Sequence, residues 1–304
     1  MALWGQPYRW KNPRYNERVQ KVNLYLQNPA AYDCFIFGSS RTTLLNQNTV
    51  EGYNCFNFAF SSGTIEEFSA YADWLVARGA NPKLVIVGVD DFSLLHAKST
   101  LNLPDFILTN KSPIGVVDSY LSLPMLRISM GVLTNGIRKP RYYSSGFVGA
   151  VKDGIPSYEP VLPSVLPEYR GGAEEYSGCT GKGRYEGLID KFEGARVIGY
   201  VPPVSFWYLA EKSSASYSRY LNSVFQVSRC FTDFFDFSVP SPMTADRVNT
   251  YDGSHFSTQV NDKIAGCFSG GRCGFYHLRP HLMLLDDYVK EHQLSMQAIY
   301  NSLK

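Results

Sequence analysis

The feature that most constrains the fold is a set of short, almost wholly apolar runs, each closed by a sharp polar turn. Cys34-Phe-Ile-Phe37 ends at Gly38, Asn54-Cys-Phe-Asn-Phe-Ala-Phe60 ends at Ser61-Ser-Gly-Thr64, and Leu84-Val-Ile-Val-Gly-Val89 ends at Asp90-Asp91. Strands apolar on both faces must be covered on both faces, which is the situation inside a parallel sheet. Between the second and third runs, Ile65, Phe68, Tyr71, Ala72 and Leu75 recur at helical spacing, and Gly79 is a stop signal. A further segment after Arg41 has the pattern of a helix start. The order strand, helix, strand, helix, strand predicts a parallel sheet with crossover helices.

The same alternation returns late in the chain. Ala195–Val201 reads as a fourth strand stopped by Pro202-Pro203, Ser213–Val227 as a helix, and Phe231–Phe237 as a fifth strand. Phe256–Phe268 and the tail His281–Leu303 read as helices, and Glu17–Leu26 as a short helix ahead of the first strand. Between them, residues 93–194 are rich in Pro, Gly, Ser and Tyr, and too long for an ordinary connection. They are expected to form an inserted cap or lobe. The expected fold is therefore α/β: a three-layer sandwich of about five parallel strands built from 1–92 and 195–304, with a long insertion between strands 3 and 4.

Charge and hydropathy exclude some classes. The formal net charge of +2, without a Lys/Arg run, lacks the basic face of a nucleic-acid binder. No apolar stretch approaches the roughly 18 residues that span a bilayer. The start, Met-Ala-Leu-Trp-Gly-Gln-Pro, has no basic residue followed by an apolar stretch, so no secretory leader is expected as written. Of six cysteines, Cys34 and Cys55 fall in buried strands and are expected as free thiols, while Cys267 and Cys273 flank Gly270-Gly271 and can close a disulfide. Cys179 and Cys230 are left unassigned. No Cys/His spacing suits zinc, Pro280 separates His277 from His281, and no metal or cofactor is implied. Gly178-Cys-Thr-Gly-Lys-Gly183 only faintly suggests a phosphate loop, since no strand precedes it. The aromatic cluster Phe206-Trp-Tyr208 suits either a sugar groove or core packing.

Sites in parallel sheets form beyond the carboxyl ends of strands. Three polar turns lie there: Gly38-Ser-Ser-Arg41, Ser61-Ser-Gly-Thr64 and Gly88-Val-Asp-Asp91, and Asp252-Gly-Ser-His255 follows the fifth strand. A hydroxyl nucleophile needs a base, a group to orient that base, and donors for the oxyanion. Ser40 at a strand-to-helix turn is the candidate nucleophile, with Ser39 as runner-up. His255 is the candidate base and Asp252, three residues before it, the orienting group. The Ser40 N–H, with Ser62 or Gly63 on the neighbouring turn, would form the oxyanion hole. Arg41 and Asp90 are candidates for substrate contact, although Arg41 also suits a structural ion pair, and Asp90 and Asp91 also suit turn caps.

At these residues the chain resembles the SGNH (GDSL-like) hydrolases. Phe37-Gly-Ser-Ser-Arg41 looks like the first block, Asn57-Phe-Ala-Phe-Ser-Ser-Gly-Thr64 the second, Gly88-Val-Asp-Asp91 the third and Tyr251-Asp-Gly-Ser-His-Phe256 the last. The sequence departs from that pattern where Ser39 replaces the commoner Asp, Ser62 takes the slot of a Gly, and Asp90 replaces an Asn that donates to the oxyanion. An ionised Asp90 would repel an oxyanion, so it must be protonated, turned away or otherwise employed. The resemblance covers roughly 30–92 and 195–268. It implies a flavodoxin-like SGNH sandwich carrying a Ser-His-Asp esterase or O-acyltransferase. The Ser-for-Asp block and the insertion are most similar to extracytoplasmic proteins that acylate cell-envelope polymers, such as the teichoic acid D-alanyl-transfer and alginate O-acetylation proteins. Implied with this are a carbohydrate or acylated-polymer substrate, a membrane-bound acyltransferase partner, and a periplasmic or cell-surface location with the anchor absent from this chain; a cytoplasmic location is the alternative. The competing functional expectation is a catalytically weak polysaccharide-binding or assembly module on the same frame.

Overall fold

In the computed structural model, the described residues are 17–91, 103–112, 126, 130, 134, 141–143, 149–151, 158–171, 184–270 and 273–304. The chain enters through helix α1 (Glu17–Tyr25) into β1 (Cys34–Phe37), β2 (Cys55–Asn57), helix α2 (Ile65–Val76) and β3 (Leu84–Gly88). A short helix, α3 (Asp105–Leu108), a two-stranded antiparallel hairpin of β4 (Arg141–Tyr143) and β5 (Gly149–Val151), and helix α4 (Arg184–Ile189) follow. The main sheet resumes with β6 (Arg196–Val201), then α5 (Phe206–Ala210), α6 (Ser214–Ser228), β7 (Asp233–Asp236), α7 (Pro242–Ala245), α8 (Thr258–Phe268) and α9 (Leu285–Leu303).

The main sheet has five strands, all parallel, in the order β2-β1-β3-β6-β7. Counting only these strands, the order is the 2-1-3-4-5 of a doubly wound sheet, and it reverses between β1 and β3. Side chains alternate between two cores with the period of a strand. Phe35, Phe37, Val85, Val87, Val197 and Phe234 face the layer that includes α1, α2, α6 and α9. Cys34, Ile36, Leu84, Ile86, Ile198, Tyr200 and Phe235 face the layer that includes Val260, Ile264 and Phe268 of α8. This is why the runs read as continuously apolar: both faces of each strand are covered.

The structure changes three of the expectations. The strand expected over Asn54–Phe60 ends at Asn57, whose Nδ2 donates to Thr42 O at 3.2 Å and Leu45 O at 3.1 Å while its Oδ1 accepts from Ala59 N at 2.8 Å. The segment after Arg41 is a single 3-10 turn, Thr42–Leu44, rather than an α-helix. Cys34 and Cys55 are not free thiols: they stand opposite each other on adjacent strands and form a disulfide. Cys267 and Cys273 form another, and Cys230 is also disulfide-bonded.

Phe106 and Ile107 of α3 and Tyr185 and Leu188 of α4 are buried in the same core as α2, and Trp74 Nε1 donates to Lys111 O at 2.8 Å. The described parts of 93–194 thus supply apolar surface that completes one layer of the sandwich. From Tyr158 to Gly171 the chain runs without regular secondary structure across α6 and α9, held by Tyr169 Oη to Asn222 Oδ1 at 2.8 Å and Tyr300 Oη to Ser164 O at 3.1 Å. The Gly178–Gly183 segment and Cys179 lie outside the described residues. Among the described residues, no helix is long and apolar enough to cross a membrane.

Candidate active site

The strand order reverses between β1 and β3, and beyond the carboxyl ends of such strands is where parallel sheets place their sites. The turn after β1 carries Ser39-Ser40-Arg41, and the turn after β3 carries Asp90-Asp91. The first turn is shaped by close approach. A Cβ at Gly38 would stand 2.2 Å from Thr42 Oγ1, and one at Gly88 only 2.1 Å from the same atom. Thr42 is wholly buried between these glycines, where its Oγ1 accepts from Tyr200 Oη at 3.0 Å. The Ser40 turn is thereby seated against the end of β3.

Ser40 Oγ lies 2.8 Å from His255 Nε2, across 215 residues of sequence. On the far side of the ring, His255 Nδ1 is 2.8 Å from Asp252 Oδ2 and 3.1 Å from Asp252 Oδ1. Asp252 Oδ1 also accepts the backbone N–H groups of Ser254 at 2.9 Å and His255 at 2.8 Å. Burial works against the Asp252 charge, but these bonds, led by that from the His255 ring, outweigh it and hold the carboxyl down at about 2. The group that orients the imidazole is therefore an anion.

The Asp252–His255 loop is a tight hairpin. Tyr251 N donates to His255 O at 2.8 Å and Gly253 N to Thr250 Oγ1 at 2.9 Å. Gly253 has φ +81°, and a Cβ there would meet Tyr158 Oη at 2.4 Å, so the position favours glycine twice over. Tyr158 itself bonds Ser205 Oγ at 3.1 Å, which brings the irregular segment beside the Asp252–His255 loop.

Of the expected oxyanion donors, Ser40 N and Ser62 N have no hydrogen-bond partner among the described residues. The turns that carry them are tied together by Phe60 N to Gly38 O at 3.0 Å. Gly63 does not serve: its N–H is spent on Phe60 O at 2.9 Å within the turn. Ser62 stands at φ +54°, the left-handed region that costs a non-glycine residue about 1–2 kcal/mol. Ser39 is fully buried, with its Oγ accepting from Arg41 N at 3.4 Å, which leaves Ser40 as the hydroxyl that meets the imidazole.

Arg41 and Asp90, considered above for substrate contact, are both buried and engaged with the protein itself. Arg41 Nε donates to Ser254 Oγ at 2.8 Å, and its Nη1 lies 3.2 Å from Asp90 Oδ1 and 3.3 Å from Asp91 Oδ1. Burial disfavours the guanidinium charge, but the two carboxylates outweigh it and raise Arg41 above its ordinary value. Burial pushes the Asp90 carboxyl up, with Arg41 opposing. Asp91 also accepts from Tyr208 Oη and lies 3.6 Å from Lys212 Nζ. Arg41 thus clamps three things together: the Ser40 turn, the end of β3 and the His255 loop. No local pattern in the sequence marks this role, because its partners lie 49, 50 and 213 residues away. The Phe206-Trp-Tyr208 cluster divides, with Phe206 and Trp207 in the core and only Tyr208 reaching this network.

Among the described residues, the group best placed to ligate a metal is Cys267, Cys273 and His277. The disulfide between the two sulfurs removes the thiolates that such a site needs. Comparison with known protein families, curated proteins and solved structures finds no match to this chain.

Proposed function

We propose that this chain is an SGNH-type serine esterase or O-acyltransferase that acts on acyl esters, acetyl foremost, of a carbohydrate or cell-envelope polymer. The observation that carries the reading is the unbroken run from Ser40 Oγ through His255 to the Asp252 carboxylate, with contacts of 2.8 and 2.8 Å. Such a run activates a hydroxyl and needs no metal for the purpose.

In this mechanism Ser40 Oγ attacks the ester carbonyl carbon as its proton passes to His255 Nε2. Asp252 stabilises the imidazolium through Nδ1–H. The carbonyl oxygen becomes an oxyanion, met by the backbone donors of Ser40 and Ser62. Collapse of the intermediate breaks the ester C–O bond, and His255 returns the proton to the departing alkoxide. Water, or a sugar hydroxyl in a transferase, then attacks the acyl-serine with His255 again as base, which regenerates Ser40. Asp90, in the slot of the family's amide donor, serves instead as counter-charge to Arg41, so the oxyanion depends on the two backbone donors.

The carbohydrate polymer and its membrane-bound acyltransferase partner come from the resemblance of the four blocks. An extracytoplasmic location is supported by the Cys34–Cys55 and Cys267–Cys273 disulfides, because disulfides persist in oxidising compartments. The test is labelling with a serine-directed fluorophosphonate, paired with hydrolysis of a chromogenic acetyl ester. Label on Ser40, lost in His255→Ala, with turnover lost in Ser40→Ala, is the expected result. A wild-type chain that takes no label, or a Ser40→Ala chain that hydrolyses at the wild-type rate, refutes the enzyme and leaves the binding module.

A further inference from the structure

We propose that α1 is a brace for the oxyanion turn, with Glu17, Arg18 and Lys21 as positioning residues that hold the Ala59–Ser62 backbone in place. The inference rests on the hydrolase reading for its catalytic consequence, though not for the brace itself.

An N-terminal helix needs only an apolar face to dock. Here α1 has one: Val19, Val22 and Tyr25 are buried in the main core. Its charged residues do something else, and all three converge on one turn. Glu17 Oε2 accepts from Ser61 N at 2.5 Å. Arg18 Nη2 donates to Ser61 O at 3.2 Å, while its Nε and Nη2 fork onto Glu67 at 2.7 and 3.1 Å. Lys21 Nζ, wholly buried, donates to Ala59 O. Glu67 in turn accepts from Thr64 N at 3.1 Å, at the first turn of α2. The backbone from 59 to 64 is thus held on one side by α1 and on the other by Gly38 through Phe60 N.

Burying a lysine is expensive. Desolvation lowers the Lys21 ammonium to about 8, with Glu17 opposing. Buried charges give little net stability over apolar replacements, and these two spend their hydrogen bonds on the Ala59–Ser61 backbone, which is the contribution assigned to them here. Ser62 carries the second oxyanion donor at a left-handed φ of +54°, and a non-glycine residue there needs its surroundings to hold it. Preorganised donors are effective only while they stay put, and a shift of about 1 Å costs on the order of 10²-fold in rate.

The test uses the full chain with Glu17→Gln/Lys21→Met, which neutralises the pair without leaving a lone buried charge, and separately Arg18→Met, which keeps that pair. Three quantities are read: amide hydrogen exchange over 59–63, kcat and KM on the acetyl ester, and the melting temperature. Expected are exchange faster by about tenfold or more, kcat lower by roughly 10- to 100-fold with KM within about threefold, and a melting temperature no lower than wild type for the double variant. Folded variants with unchanged exchange overturn the brace. Faster exchange with unchanged kcat overturns the positioning role. A wild-type chain without Ser40-dependent turnover overturns the hydrolase reading instead, and exchange at 59–63 still decides whether α1 braces the turn.

Discussion

Replacing Arg41 by Met tests how the site is held together. The Arg41 side chain is 9% exposed and the Asp90 side chain 1%, so their ion pair at 3.2 Å is barely screened by water. Removing Arg41 leaves Asp90 as an uncompensated buried charge, the kind of loss that costs about 3–5 kcal/mol. Asp91 suffers less, since Tyr208 and Lys212 remain beside it. At roughly 1.6 °C per kcal/mol for a chain of 304 residues, the melting temperature should fall by about 5–8 °C. The deficit should depend on pH. Asp90 is already raised above its ordinary 3.8, and without Arg41 it rises further. The folded state then holds a proton that the unfolded state has released, so the penalty is full near neutral pH and shrinks as pH falls toward 3.8. Arg41→Met/Asp90→Asn removes the lone charge and should recover most of the lost stability. Thermal denaturation of the wild type, the single and the double variant near pH 7 and near pH 5 checks this. A single variant that melts with the wild type, or a double variant no better than the single, refutes the clamp.

Asp252→Asn should keep the fold and lower kcat by roughly 10⁴-fold; because the wild-type carboxyl sits at about 2, its charge is lost only as pH falls through that value, and the wild-type pH–rate profile should show no limb from it above about pH 4. Gly88→Ala drives a Cβ to 2.1 Å from Thr42 Oγ1 and should cost about 1–3 kcal/mol together with loss of Ser40 labelling; Thr42→Ala in the same chain should restore both, and a melting curve that ignores the second change would count against it. Burial lowers His292 to about 4 from 6.5, so the unfolded chain takes up a proton in that interval that the folded chain refuses, and stability should fall by about 3 kcal/mol as pH drops through it. Denaturant unfolding across that interval should show this slope in the wild type and lose it in His292→Phe; an unchanged slope in the variant points to another group.

The parallel sheet and the residues that meet as Ser40 and His255 were legible in the sequence because both are written locally. A strand covered on two faces must be apolar throughout, so Cys34–Phe37 and Leu84–Val89 identify themselves without reference to their neighbours. Ser40 stands out by its turn and His255 by the Asp three residues before it. What the sequence left open depends on which distant backbone comes alongside. Cys34 and Cys55 read as buried thiols until the register of β1 and β2 sets them opposite each other. Gly63 is a plausible oxyanion donor until its N–H closes on Phe60 O. Phe106, Ile107, Tyr185 and Leu188 sit in an irregular stretch, yet they pack into the main core.

The site divides along the same line. The sequence alone determined which side chains are candidates for chemistry, since a hydroxyl at a strand-end turn and a histidine three residues after an aspartate are recognisable by type and short spacing. Only the tertiary structure decided how they are held: Arg41 bridging partners as far as 213 residues away, α1 gripping a turn more than thirty residues downstream, and Asp90 turned to a counter-charge. The physical reason is that burial patterns and turn chemistry are local properties of a chain. Charge pairing and backbone hydrogen bonding are settled by proximity, which exists only once the sheet has assembled.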